Sequence, residues 1–475
     1  MRWTIVGSVS FGVLQVLYTS LTAHLVSPGN YGIYSAAVIF GNIVGFLSLT
    51  SIGSTLARTP TLDPRLIGSA WLLALAAGVV TAGLAMLAAP LWSALIHVPA
   101  DGTIRLVAVS LFLAPLAAVP VGILRQRLSF RAVTAVELSA QLVGFLMAAL
   151  AVIVWRSAWS LVVLPIATSG ATLVFAAIAT RHQAIGRPTK SFVNLILRFS
   201  LTLSGMGLTM AAMWLIPPIL VGRTLGVEGL GQFNRAWTLI MVPVSILSIS
   251  MSRPLYSGLA HAETRAAKRA AITDAEILNS GVTWLLFAVV AAVSPLLLPI
   301  ILGPAWGPAI AAVPLMCVLG ALVLSVAIIR DSMESLGMLK VLWIVVAIGF
   351  TATILAMGVA WHFFPTVQGF IGMAIVAPLA MQALQLWACI RSRFIAGRRL
   401  LRSYLIHLTT AIVLVLLTRL LLFETHSLDL RYQLLLQALL LSILSVGLWR
   451  IRSAYPAWVV ASKRAMIPAR LRGSS

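Results

Sequence analysis

This chain has little charge. Asp, Glu, Lys and Arg together make up 9% of 475 residues, and only 11 residues are acidic. So few charges cannot wet the surface of a soluble particle of this size, which excludes a water-soluble globular protein and makes lipid the solvent for most of the surface. Cysteine is scarcer still, with two residues. Cys317 and Cys389 lie far apart in apolar runs, which excludes a disulfide framework or a zinc-ligand pattern and leaves them as small core residues. His97, His261, His362, His407 and His426 are scattered at the ends of apolar runs without ligand spacing, so no metal is expected. There is no GxxxxGK loop, no pair of acids on a common loop and no nucleophile elbow. The expectation is therefore no catalytic residue, no cofactor and no enzyme activity. A driving force for any transport would have to come from substrate gradients, ions or a partner.

What fills the chain is hydrophobicity, at 60% of residues. Fourteen apolar runs can be drawn, each near the ~20 residues that span a bilayer core. They lie near 3–25, 31–57, 67–96, 104–124, 136–155, 159–180, 197–222, 230–252, 277–302, 309–329, 341–362, 366–390, 405–423 and 432–450. The first run lacks a small-x-small cleavage site and reads as a retained helix. The expected fold class is an all-α polytopic membrane protein with fourteen transmembrane helices and no soluble domain.

The net charge of +22 would suggest nucleic acid as partner of a soluble protein. In a polytopic protein, Lys and Arg instead mark the loops kept in the cytoplasm. With the N-terminus inside, all 33 basic residues fall on cytoplasmic segments except Arg105, Arg156, Arg223, Arg235, Arg419 and Arg431. Both termini are thus expected in the cytoplasm, and no nucleic acid is expected.

The chain is organised around a repeated stretch. Residues 215–256 hold the end of one apolar helix, a glycine-broken turn and a second apolar helix with Arg235 near one end and Arg253 near the other. About 200 residues earlier, 21–58 has the same plan and ends in Arg58. Arg125-Gln126-Arg127 after the fourth run is likewise answered by Arg330-Asp331 after the tenth. The expected domains are a six-helix bundle at 1–180, a basic cytoplasmic linker at 181–198, a second six-helix bundle at 199–390, and two further helices with a basic tail at 391–475.

Several polar groups inside these runs need a reason. Arg235 and Arg253 are 18 residues apart, which returns to one helix face and extends ~27 Å along it. Ser245 lies between them on an adjacent face. Ser51, Ser54 and Arg58 share a face at the spacing i, i+3, i+7. One reading makes Arg58, Arg235, Arg253 and Ser245 the lining of a wet cavity between the halves that holds an anionic, hydroxyl-rich substrate, since a guanidinium stays charged and can grip phosphate with two hydrogen bonds. The other reading has helix-end arginines reaching to the interface and lipid headgroups. Glu137 could bind a coupling cation or proton, or could form a loop-orienting ion pair with nearby Arg127 or Arg131. Asp331 and Glu334 beside Arg330 read as structural.

The stretch LGQFNRAWTLIMVPVSILSISMSRPLYSGLA and, after the ninth run, ILGPAWGPAIAAVPLMCVLGAL resemble the polysaccharide and lipid-linked oligosaccharide flippases of the MOP exporter superfamily, more narrowly the Wzx subgroup. PGNYGIY at 28–34 and LRQRLSFRAVTAVE at 124–137 are of the same type. The blocks at 231–236 and 303–309 are the more specific parts. The resemblance implies a pair of helical bundles that rock to open a cavity alternately to the cytoplasm and the periplasm. Its cargo would be a polyprenyl-pyrophosphate-linked oligosaccharide, carried across the bacterial cytoplasmic (inner) membrane for exopolysaccharide or other surface polysaccharide synthesis. The implied partners are the phospholipid bilayer, a polysaccharide polymerase and export machinery. A drug or cation antiporter of the same superfamily would be expected to use an intramembrane acid, and few buried acids are visible. A lipid II flippase shares the fold. A membrane glycan polymerase or transferase would be expected to carry larger extramembrane loops.

Overall fold

The computed structural model describes residues 2–45, 52–59, 61–260, 262–425, 428–450, 452–453 and 455–463. Among these residues the chain is helical throughout, with no strand. That follows from the solvent: in hydrocarbon a backbone N–H or C=O has no water to bond, and a helix satisfies both within one segment.

In chain order the helices are α1 (Arg2–Leu25), α2 (Pro28–Gly45), α3 (Ile52–Arg58), α4 (Pro64–Ile96), α5 (Asp101–Gln126), α6 (Phe130–Trp155), α7 (Ala158–Ala179) and α8 (Lys190–Ala260). They continue with α9 (Arg265–Leu302), α10 (Gly307–Ser335), α11 (Leu339–Phe363), α12 (Val367–Ala374), α13 (Val376–Arg391), α14 (Gly397–Glu424), α15 (Leu430–Arg450) and α16 (Pro456–Lys463). Among the described residues, ten segments are long and apolar enough to cross a membrane by length and composition, α12 and α13 counting as one. Large side chains such as Leu87, Leu91, Val154 and Phe423 stand more than 70% exposed. In a helix of this composition, such a face is turned to lipid rather than to water.

The apolar runs and the helices differ in three places. The seventh and eighth runs form one element, α8, interrupted only at Gly226, whose φ of 66° and ψ of −161° break the helix where the glycine-rich turn was expected. The twelfth run divides at Ile375 into α12 and α13. The ninth run, expected from 277, is only the apolar part of α9, which begins at Arg265. A hydropathy reading finds the lipid-length part of a helix and misses the amphipathic turns that extend it.

Local signals set the ends. Asp63 caps α4 by accepting from Arg65 N at 2.7 Å, ahead of Pro64 in the first turn. Thr366 caps α12 by accepting from Gly369 N at 3.0 Å. The basic segment between α7 and α8 is pinned to α4: Gly186 N donates to Pro64 O at 2.7 Å and Thr189 N to Ser69 Oγ at 3.0 Å.

The chain divides into two compact units. One comprises Met1–Asn234 with Ile301–Ala305, the other Arg235–Ile300 with Trp306–Ser475. In the first, Ile52 and Leu56 of α3, Leu66 and Ile67 of α4, Val119 and Ile123 of α5 and Ile196 of α8 form a core. In the second, Leu255 of α8, Ile272 and Ile277 of α9, Ile329 and Met333 of α10, Cys389 of α13, Leu400 of α14 and Val460 of α16 form another. Both cysteines are buried and free, as small core residues.

Candidate functional site

The residues singled out in the sequence occupy quite different surroundings. Arg235 is 2% exposed, and its guanidinium carbon lies 4.5 Å from the centroid of the Trp306 ring in the second unit. The planar cation on an indole face is a favourable arrangement away from water. Trp306 ends the short turn Pro304–Trp306 and is itself fully buried. In the first unit, Gln232 Nε2 donates to Ala305 O at 2.7 Å. The two motif blocks that carried the resemblance thus meet each other within both units. Arg58 ends α3 and is exposed. Ser245 is exposed, with its hydroxyl donating to Val242 O at 2.8 Å. Arg253 lies in α8, but its side chain is outside the described residues, as is Ser51.

Glu137 is half exposed and takes Arg125 Nη2 at 3.1 Å. It thus has the ion pair expected on one of the two readings, but with Arg125 rather than Arg127 or Arg131. Arg127 instead donates to Gln183 Oε1. Asp331 and Glu334 both pair with Arg330, at 3.1 and 3.6 Å.

The most concentrated polar chemistry among the described residues was not read from the sequence. Glu276 of α9 has no exposed surface. Its Oε1 accepts from Tyr404 Oη of α14 at 2.6 Å and from Ser325 Oγ of α10, while Oε2 accepts from Asn279 Nδ2 at 3.3 Å. Gln382 Nε2 of α13 donates to Tyr404 Oη at 2.9 Å, and Thr283 Oγ1 donates to Asn279 Oδ1 at 3.3 Å. One turn along, Ser280 Oγ lies 3.0 Å from His407 Nδ1, and the His407 ring packs on Tyr455 at 4.9 Å. Tyr455 donates to Gly281 O at 3.2 Å; burial pushes its phenol up to about 12, so it remains a neutral donor. Burial leaves Gln382 Oε1, both amide atoms of Gln385 and His407 Nε2 without partners. Buried acids are few, as expected, but the second unit has one in Glu276, held directly from α10 and α14, with α13 reaching it only through Tyr404. A signal was present in Glu276, Asn279, Ser280 and Thr283, which share one helix face at i, i+3, i+4 and i+7.

No group of His, Cys, Asp and Glu among the described residues has the arrangement of a metal site.

Comparison with known proteins follows the same lines. The family model described as "Polysaccharide biosynthesis protein" matches residues 21–311, more than half of the chain. No curated protein matches. Among solved structures, the lipid II flippase MurJ in its inward closed conformation superposes with a TM-score of 0.70 at 12% identity, covering 94% of this chain and 99% of that one. An inward-facing multidrug resistance MATE transporter of the MOP superfamily gives 0.64 at 15% identity, over 82% and 98%. The eukaryotic MATE transporter AtDTX14 gives 0.55 at 12%, over 86% and 97%. At these identities the likeness is one of fold.

Proposed function

The chain belongs to the polysaccharide biosynthesis protein family, and from that premise we propose that it flips a polyprenyl-pyrophosphate-linked oligosaccharide across the bacterial cytoplasmic membrane. The movement is alternating access, both termini lie in the cytoplasm, and the flipped unit passes to a polymerase and export machinery for exopolysaccharide or other surface polysaccharide. No chemical step is required, and the protein acts as a transporter rather than an enzyme. The observation that carries this reading is the family match over 21–311, which takes in both glycine signatures of the repeat. The fold shared with a lipid II flippase and MATE transporters supports it from a second direction.

The physical task fits such a scaffold. Sugar hydroxyls and pyrophosphate cannot enter hydrocarbon alone, because each desolvated polar group costs on the order of several kcal/mol. The polyprenyl tail needs no help and remains in the bilayer. A protein that offers cations and hydroxyls to the head while leaving the tail in lipid removes the barrier. Arg58 and Ser245 are exposed and reachable by such a head. Arg235 is covered by Trp306, so it meets a phosphate only in a state where that stack opens. The family match favours a polysaccharide precursor over lipid II and over a drug.

Deletion of the gene tests the reading. Extracellular polysaccharide should disappear while lipid-linked repeat units accumulate on the cytoplasmic leaflet. Normal polymer, with no accumulated intermediate, would refute it.

A further inference from the structure

Pro295 and Pro299 stand inside α9, near its C-terminal end. A proline has no N–H, and its ring crowds the carbonyl four residues back. Pro295 thus takes Ala291 O out of the helix ladder and makes this the place where α9 bends most easily. Within an apolar span, a carbonyl so freed needs donors from elsewhere.

Side chains supply them. Ser294 Oγ, on α9 itself, donates to Ala291 O at 3.0 Å. Arg419 Nη2 of α14 donates to the same oxygen at 3.3 Å, which fills its second lone pair. Gln437 Nε2 of α15 donates to the next carbonyl, Ala292 O, at 3.0 Å. Both alanines are buried.

The residues that reach this point are out of place by composition. Arg419 stands in an apolar span, where an arginine calls for a reason. One placed there for lipid headgroups would extend to the helix end, whereas this one bonds a backbone carbonyl of α9. Gln437 is the one buried side chain of α15 among the described residues, at 3% exposed. A helix docked by apolar packing alone would bury a leucine there. An amide is costly in that position unless its hydrogen bond is made. Around the polar contacts, Ala288 and Ala292 of α9 pack with Ala411 and Leu414 of α14, and Leu441 and Leu444 of α15 lie against them. Small side chains bring the helix backbones close enough for the longer polar groups to reach across.

We propose that the α14–α15 hairpin is a clamp on the proline break of α9, with Arg419 and Gln437 as the positioning residues that hold its bend by bonding the carbonyls there. Past the break, α9 ends at Leu302 and the chain turns through Gly303, at φ 86°, into the Pro304–Trp306 turn whose ring covers Arg235. The clamped segment therefore leads directly into that turn. The clamp belongs to the chain alone; only its use in moving a cargo rests on the transport function proposed above.

The test is made on the full chain in liposomes without cargo. Spin labels at Ile300 of α9 and Leu355 of α11, both exposed, report the position of the α9 end by pulsed dipolar spectroscopy, and the native Cys317 and Cys389 are buried. Arg419→Met with Gln437→Leu removes both donors while keeping bulk, and should add a second distance population to the single one of the unsubstituted chain. Pro295→Ala returns an N–H to Ala291 O, so the same two substitutions made on top of it should add none. A distribution unchanged by Arg419→Met with Gln437→Leu would overturn the proposal. An equal change with and without Pro295→Ala would do so too, because the donors would then act elsewhere than at the break. If the double variant fails to accumulate in the membrane, Pro295→Ala should restore it, and no restoration would likewise overturn the clamp. Distances that respond as expected in a protein that flips no cargo uphold the clamp and count against the transport reading alone.

Discussion

Asn234 of α8 donates from Nδ2 to Ser35 Oγ of α2 across 2.7 Å, and the two residues stand 199 positions apart. Around them the approach is close on both sides. A Cβ on Gly32 would lie 1.8 Å from Val227 O, and one on Gly231 would lie 2.0 Å from Pro28 O. Gly32 and Ser35 recur, with the same spacing, as Gly231 and Asn234. The repeated signature therefore marks the place in the first unit where α2 and α8 approach backbone against backbone.

Gly231→Ala should destabilise the protein by roughly 1–3 kcal/mol, because the obstacle is backbone and cannot rotate away. Asn234→Ala removes the hydrogen bond to Ser35 and should cost about 1 kcal/mol for that bond. Thermal unfolding of the detergent-solubilised protein ranks them, with the glycine variant the less stable. A Gly231→Ala protein as stable as wild type would contradict the packing described.

The Arg235–Trp306 stack supports a second prediction. Trp306→Ala empties a fully buried site and should cost about 3–5 kcal/mol, visible as lost protein in the membrane. Arg235→Lys keeps the charge but loses the planar stack, at about 1–2 kcal/mol. If Arg235 also meets pyrophosphate during the cycle, polysaccharide output per molecule of Arg235→Lys should fall further than its abundance. Output in proportion to abundance would leave Arg235 a structural cation.

Glu137 should prove dispensable. Its pair with Arg125 is half exposed on both sides, and pairs of that kind contribute about 0–1 kcal/mol. Glu137→Gln should show wild-type abundance and export, read from membrane blots and secreted polymer. A loss of export at normal abundance would instead give Glu137 the cation- or proton-binding role.

Much of the fold was legible because lipid imposes a simple rule. Apolar runs of bilayer length became helices, and the Gly226 break fell in the glycine-rich turn that the sequence marked. The polar site was less legible. Glu276 sits one residue before the apolar run that hydropathy detects, and its partners Ser325 and Tyr404, with Gln382 behind Tyr404, come from three other helices whose convergence is a matter of tertiary packing. Arg235 was visible as a helix-end cation, but nothing local foretold the Trp306 ring that covers it.

The account stands or falls on passage of a phosphorylated glycolipid head through this protein. The direct measurement is flipping in liposomes containing only the purified chain and a fluorescent polyprenyl-pyrophosphate oligosaccharide, followed by quenching of the outer leaflet. The label should become accessible from both sides within the lifetime of the assay, while protein-free liposomes keep it on one side. Equal redistribution with and without the protein would contradict such passage.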